Sequence, residues 1–184
     1  MDPHHLLVKI AKILASLKIP YLVTGGMAIY VWGRPRFTAD IDLVVELNKK
    51  DVKKLISALE KEGYIDEDAV KEAIDYQSEF NFIDREEGIK VDFWILKADP
   101  FNKSRFQRRV AKKVLNQNVY FISAEDLILA KLLWFKEGQS VRHLEDIRSI
   151  LEMLKIEVDF DYLRKWAKRQ KTLGVLEEMI ALIK

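Results

Sequence analysis

Asp40 and Asp42 flank Ile41 at the head of an apolar run, Ile41 to Val45. If that run is a strand, residues two apart share a face, so both carboxylates point one way while Ile41 and Leu43 point into a core. Such positions lie roughly 7 Å apart along the backbone, and the two charges repel unless a cation sits between them. Hard oxygen donors of this kind suit divalent cations such as Mg²⁺. Upstream, Gly25-Gly26 follow a short apolar run, Tyr21-Leu22-Val23, that Pro20 introduces. They precede a helical run, Met27 to Trp32, which Gly33 can end. A strand that delivers two glycines to a helix start leaves backbone N–H groups free for an anion. Phosphate held beside a divalent cation is the chemistry these residues permit.

Spacing alone would not carry that reading, because the sequence contains two other Asp-x-Asp patterns. Asp66-Glu67-Asp68 falls in an acidic stretch expected to be a loop, and Asp159-Phe160-Asp161 falls at an expected helix start, where carboxylates favour the dipole. Only Asp40 and Asp42 open an apolar strand behind a glycine pair. The glycines form neither a P-loop nor a dinucleotide fingerprint, since both G-x-x-x-x-G-K and G-x-G-x-x-G are missing. Between the two patterns, Arg34 and Arg36 flank Pro35 and are candidate phosphate contacts. Thr38, two residues before Asp40, is a candidate hydroxyl donor to a nucleotide.

The stretch Gly25 to Asp42, GGMAIYVWGRPRFTADID, resembles the signature of the DNA polymerase β-type nucleotidyltransferases: a hydrophobic residue, a glycine pair, a spacer, then Asp-hydrophobic-Asp. That family also places a third carboxylate on a later strand, and Lys90-Val91-Asp92-Phe93-Trp94 matches it at Asp92. Ser123 to Leu132 and Arg142 to Ile147 are similar to later motifs of the small bacterial and archaeal members that include abortive-infection toxins. The resemblance implies an enzyme that transfers a nucleoside monophosphate from an NTP, ATP among the candidates, to an acceptor hydroxyl and releases pyrophosphate. It implies two Mg²⁺ ions, or Mn²⁺ in their place, on Asp40, Asp42 and Asp92, with Asp92 helping to deprotonate the attacking hydroxyl. Two alternatives share the fold: a catalytically silent nucleotide- or RNA-binding module, and a tRNA-modifying toxin with an antitoxin partner.

The elements that must position these residues follow from periodicity. Asp2-Pro3 reads as an N-cap and first turn for a helix with Leu6, Ile10, Ile13 and Leu17 on one face. A second helix starts at Asn48 to Asp51, buries Val52, Leu55, Ile56 and Leu59, and ends near Gly63. Residues 64–78 suggest a loop and a short helix. Phe80–Ile83 and Ile89–Ile95 read as a hairpin whose second strand sets Lys90, Asp92 and Trp94 on the face away from the core. Val119–Ile122 is the last expected strand, and Ser123–Lys136, Arg142–Leu154, Asp159–Thr172 and Leu176–Ile183 read as helices. The expected fold class is α/β (α+β): a small mixed β-sheet with flanking helices in residues 1–122, and a C-terminal helical bundle, residues 123–184, packed on that core.

Composition narrows the setting. The 184 residues are 49% hydrophobic and 33% charged, with a formal charge of +2. Cys is absent, so disulfides and thiolate metal sites are excluded, and three scattered His make a poor zinc site. With no apolar run of membrane-spanning length, a cytoplasmic location without membrane contact is expected. Lys131 interrupts a helix that is apolar nearly all round, where an ammonium must find an anion or reach an edge. A triphosphate contact and a structural pair with Asp146 or Glu145 both satisfy it. Six basic residues between Lys103 and Lys113 accompany Phe106, Val110 and Val114 at helical spacing, read as a solvated face over a packed stripe, with a polyanion-binding patch as the alternative. The expected acceptor is a polynucleotide or protein hydroxyl in preference to a small molecule.

Overall fold

The structure, a computed structural model, describes residues 3–154 and 157–183. Asp2, the expected first N-cap, lies outside the described residues. The chain divides into two compact units, Met1–Met27 with Phe37–Phe121 and Ala28–Arg36 with Ile122–Lys184.

The first unit is built on a mixed seven-stranded sheet. Its elements in chain order are α1 (Pro3–Ser16), β1 (Tyr21–Thr24), the start of α2 (Gly25–Trp32), β2 (Ile41–Val45), a 3-10 turn at Lys49–Asp51, α3 (Val52–Leu59), β3 (Gly63–Ile65) and α4 (Glu67–Tyr76). Then follow β4 (Glu79–Asp84), β5 (Lys90–Ile95), α5 (Pro100–Gln107), β6 (Val110–Val114) and β7 (Gln117–Phe121). The spatial order is β3-β4-β5-β2-β1-β7-β6. β2 runs parallel to β5 and β1 parallel to β7, and the remaining pairs are antiparallel.

Strand alternation sets the two faces. Ile41, Leu43 and Val45 of β2, Val91, Phe93 and Ile95 of β5, and Phe80 and Phe82 of β4 are all buried on one side. Phe80 and Phe93 stack there with centroids 4.9 Å apart. Helix α1 buries Leu6, Leu7, Ile10 and Leu14 and meets α3 and β7, while α4 lies on β4 and β5.

Two stretches differ from the sequence reading. Residues 64–78 hold a strand and the ten-residue helix α4, and the Asp66-Glu67-Asp68 stretch is its start: Asp66 caps the helix by accepting from the backbone N–H groups of Asp68 and Ala69. The basic segment is not one amphipathic helix. Phe106 sits near the end of α5, whereas Val110 and Val114 belong to β6, where Lys112 shares their face. The turn to β7 passes through Leu115 and Asn116, both at positive φ. A hairpin turn without glycine gives little signal in sequence, so pairing with β7 overrides the local helical spacing.

The second unit contains the end of α2 with α6 (Ala124–Gly138), α7 (Val141–Leu154), α8 (Phe160–Gln170) and α9 (Leu173–Ala181). Helix α6 packs on α7 and α8, and α9 packs on α7 and α8. Ser123 caps α6 by accepting from the Asp126 N–H at 3.2 Å, while its hydroxyl donates to Asp126 Oδ2 at 2.8 Å. The Tyr162 hydroxyl, from α8, donates to the other carboxylate oxygen at 2.7 Å. Asp126 is fully buried, so these bonds compensate its lost hydration. No helix among the described residues is long and apolar enough to cross a membrane.

Tyr162→Phe keeps the ring and deletes one donor to this buried carboxylate. It should destabilise the protein by about 1–3 kcal/mol, read as a lower urea midpoint at unchanged slope. An unchanged midpoint would show that the bond contributes nothing net.

Candidate functional site

In the first unit, β1 ends at Thr24 and α2 begins at once with Gly25, whose φ of +63° only glycine adopts without strain. The turn brings the α2 start against β2. A Cβ built on Gly25 would lie 1.9 Å from Asp42 Oδ2, and one on Gly26 would lie 2.4 Å from Thr38 Oγ1. The glycines therefore do more than leave N–H groups free: they are the space into which Asp42 and Thr38 fit. Thr38 donates its hydroxyl to the Asp40 carbonyl at 3.2 Å, pinning the loop that enters β2.

Parallel pairing of β2 with β5 puts Asp42 directly beside Asp92. Thr24 is opposite Asp42 on the other side, and Asn81 is opposite Asp92. Asp92 is buried, Asp42 is partly covered, and Asp40, just outside β2, is more open. Lys90 supplies a positive charge, with Nζ 2.8 Å from Asp92 Oδ2 and 4.0 Å from Asp40 Oδ2. The hydrogen bond to Asp92, with the charges of Asp40 and Asp42, outweighs partial burial and raises Lys90 above the ordinary lysine range. With its amide nitrogen turned to the carboxylate, Asn81 donates to Asp92 Oδ1 at 2.6 Å. The Thr24 hydroxyl is buried and has no hydrogen-bond partner, a polar group turned into this cluster with capacity for a ligand.

The structure thus draws Gly25, Gly26, Thr38, Asp40, Asp42 and Asp92 into one neighbourhood. Thr24, Asn81 and Lys90 join them without having been singled out as site residues. Lys90 was legible in principle, since it shares a face with Asp92; Thr24 and Asn81 emerge only from strand register. The donor set, carboxylate oxygens and a free hydroxyl, is chemically suited to a hard divalent cation. Among the described residues no three His, Asp or Glu side chains are drawn together closely enough to hold a metal by themselves, and an ammonium lies among the carboxylates.

Arg34, Arg36 and Lys131 form a second cluster, in the helical unit. Arg36 donates to Asp146 from Nε at 2.7 Å and Nη2 at 2.8 Å, a bidentate clamp. Lys131, 1% exposed, lies 2.6 Å from the same carboxylate. Of the two readings of Lys131, the pair with Asp146 is thus present in the fold. Burial opposes ionisation of Asp146, but the Arg36 hydrogen bonds and the Lys131 charge overcome it and hold the carboxyl below its usual range. Arg34 pairs with Glu152, which Arg148 also meets. The Arg34 N–H donates to Ser149 Oγ, and that hydroxyl donates to the Asp146 carbonyl. A cavity of about 430 Å³ lies here, lined by Arg34, Pro35, Arg36, Glu145, Asp146, Arg148 and Ser149.

Comparison with known proteins places this arrangement. An antigenic nucleotidyltransferase-like protein from Paracoccidioides brasiliensis superposes with a TM-score of 0.59 at 20% identity, over 95% of this chain and 87% of that one. ANT(2'')-Ia, solved in complex with adenylyl-2''-tobramycin, gives 0.57 at 14% identity, over 94% of this chain and 98% of its own. The lincosamide antibiotic adenylyltransferase LnuA, solved with lincomycin bound, gives 0.51 at 15% identity, over 82% of this chain and 96% of its own. At such identities the likeness is one of fold, and the fold is that of the nucleotidyltransferases. Over residues 4–184 the sequence matches the family described as uncharacterised nucleotidyltransferases, and the chain belongs to it. No curated protein matches the sequence.

Three outcomes follow from the geometry. Gly25→Ala forces a methyl group into the Asp42 carboxylate and strains a positive φ, so it should cost about 1–3 kcal/mol of stability and abolish nucleotide transfer; a variant with wild-type melting and transfer would contradict the close approach. Lys131→Met removes one of two cations from buried Asp146 and should cost roughly 1–3 kcal/mol, with or without nucleotide. Because the folded-state pKa of Asp146 is depressed, its contribution is complete above the ordinary carboxylate pKa, about 4, and is lost as pH falls through the lower folded value. The gap between wild type and Asp146→Asn in thermal melting should accordingly close on acidification below about pH 4; a gap that stays constant would show that the charge is not what stabilises.

Proposed function

We propose that the chain, a nucleotidyltransferase by family, moves the nucleoside monophosphate of an NTP onto an acceptor hydroxyl and releases pyrophosphate, with Mg²⁺ or Mn²⁺ held by Asp40, Asp42 and Asp92. The observation that carries the reading is the side-by-side register of Asp42 and Asp92 on parallel strands, with Gly25 pressed against Asp42. ATP is the proposed nucleotide, a choice supported by the adenylyltransferases that share the fold. Divalent ions bound to these carboxylates would neutralise charge on the phosphates and lower the pKa of a coordinated hydroxyl.

The chain's own groups perform the remaining tasks. The α2 start, opened by Gly25 and Gly26, offers backbone N–H groups to phosphate. Thr24 contributes a hydroxyl that the fold leaves unused. Thr38 holds the loop before Asp40 at its set distance from the glycines. Asp92 faces the acceptor side, where Asn81 and Lys90 fix its carboxylate. The acceptor oxygen bonds to the α-phosphorus as the bond to pyrophosphate breaks, and the acceptor proton passes to Asp92. Lys90 must yield its place among the carboxylates when the phosphates and their counter-ions arrive.

Asp42→Asn removes a ligand without touching the apolar face of β2. Transfer of α-label from ATP to acceptor should fall by at least about a thousandfold, on the order of 4 kcal/mol of barrier, while the melting temperature holds or rises because repulsion within the cluster is relieved. Full activity in that variant, or in wild type stripped with EDTA, would refute the proposal.

A further inference from the structure

The strand registers place more than carboxylates on the active face. Across β4 and β5, Glu79 is opposite Trp94, Asn81 opposite Asp92, and Ile83 opposite Lys90, while Tyr64 of β3 is opposite Ile83. Directly paired residues share a face, so these side chains form one surface around Asp92. Its outer part is open: Tyr64, Ile83 and Trp94 are 66%, 42% and 41% exposed, and Glu79 and Asn81 are exposed as well. On the reverse face of the same strands, Phe80, Phe82, Val91 and Phe93 fill the core, so the exposure is not a shortage of helices. An indole, a phenol and an isoleucine standing open beside a buried carboxylate are apolar surface that burial against a ligand would stabilise.

We infer that this exposed face of β3, β4 and β5 is the acceptor platform, and that its occupant is a small hydroxylated ring compound, neutral or cationic. The inference rests on the transfer reading above and names the acceptor class for that site. Trp94 lies two residues from Asp92 along β5, about 7 Å in an extended strand, the distance across one ring from a stacked face to a reactive hydroxyl. Asn81, opposite Asp92, has its amide nitrogen turned to that carboxylate and offers its amide oxygen as an acceptor. The charge on the face selects the class: Glu79, Asp40, Asp42 and Asp92 stand there with Lys90, which pairs with Asp92 and approaches Asp40. A carboxylate-rich face repels a phosphate backbone and attracts ammonium groups, which the Trp94 ring also favours. Two arginines of the basic segment are packed on aromatic rings. Arg105 lies over Phe101, and Arg109 lies over Phe106 and Tyr120 while donating to the Phe106 carbonyl.

The test uses the full chain, Mg²⁺, α-labelled ATP and an extract of the source cells parted by ultrafiltration into small molecules and macromolecules. Wild type should label a compound of the small-molecule fraction. Trp94→Ala and Glu79→Gln should each lower the initial rate at limiting acceptor by roughly tenfold or more, while ATP affinity by equilibrium dialysis and the melting temperature stay near wild type, since both side chains are exposed. Label in RNA or protein of the macromolecular fraction would overturn the inference, as would either variant transferring to the small molecule at the wild-type rate. If wild type binds ATP yet labels neither fraction, the transfer reading itself fails and the platform falls with it; label in the wrong fraction removes the platform alone.

Discussion

Two like charges held side by side are the constraint around which the first unit is arranged. Parallel pairing of β2 and β5 fixes Asp42 next to Asp92, about 5 Å apart by strand spacing. At an effective dielectric near 20, such a pair repels by about 3 kcal/mol. Surrounding features lessen or exploit that cost. Lys90 places an ammonium among the carboxylates, Asn81 bonds to Asp92, and Gly25 gives up its side chain so that Asp42 can approach the start of α2. The apolar residues on the reverse of both strands, from Ile41 to Ile95, hold the register that keeps the charges together. The proposed metal site rests on this closeness of like charges, which a multivalent cation would relieve.

The helical unit solves the opposite problem with similar parts. There a single buried carboxylate, Asp146, is surrounded by cations, Arg36 and Lys131, and its backbone carbonyl is tied through Ser149 to Arg34. The cluster ties the segment between Gly33 and Arg36 to α7. Arg34, Arg36 and Lys131, the cations expected to meet phosphate, each face a carboxylate in the structure.

Much of the carboxylate cluster was legible in the sequence because it depends on short-range periods. The glycine pair, the alternation through Asp40-Ile41-Asp42 and that through Lys90-Val91-Asp92 each fix a face locally, and the fold honours all three. The mixed sheet and the helices after Ile122 followed from the same periods. What was not legible depends on pairing between distant strands. Thr24 and Asn81 join the cluster only because β1 and β4 lie beside β2 and β5. The β6–β7 hairpin was hidden because its turn uses Leu115 and Asn116 in place of glycine. Lys131 could be read as a buried ammonium in need of an anion, but which anion it meets is decided by the packing of α6 on α7.

The central claim is that the Asp40, Asp42 and Asp92 face is built to receive divalent cations. The most direct measurement is the melting temperature in rising Mg²⁺ at constant ionic strength, without nucleotide, for wild type and Asp92→Asn. Binding to the folded state alone raises stability by RT ln(1 + [L]/Kd). The account predicts a melting temperature that climbs with Mg²⁺ in wild type and stays flat in the variant. Parallel curves for the two proteins would contradict it.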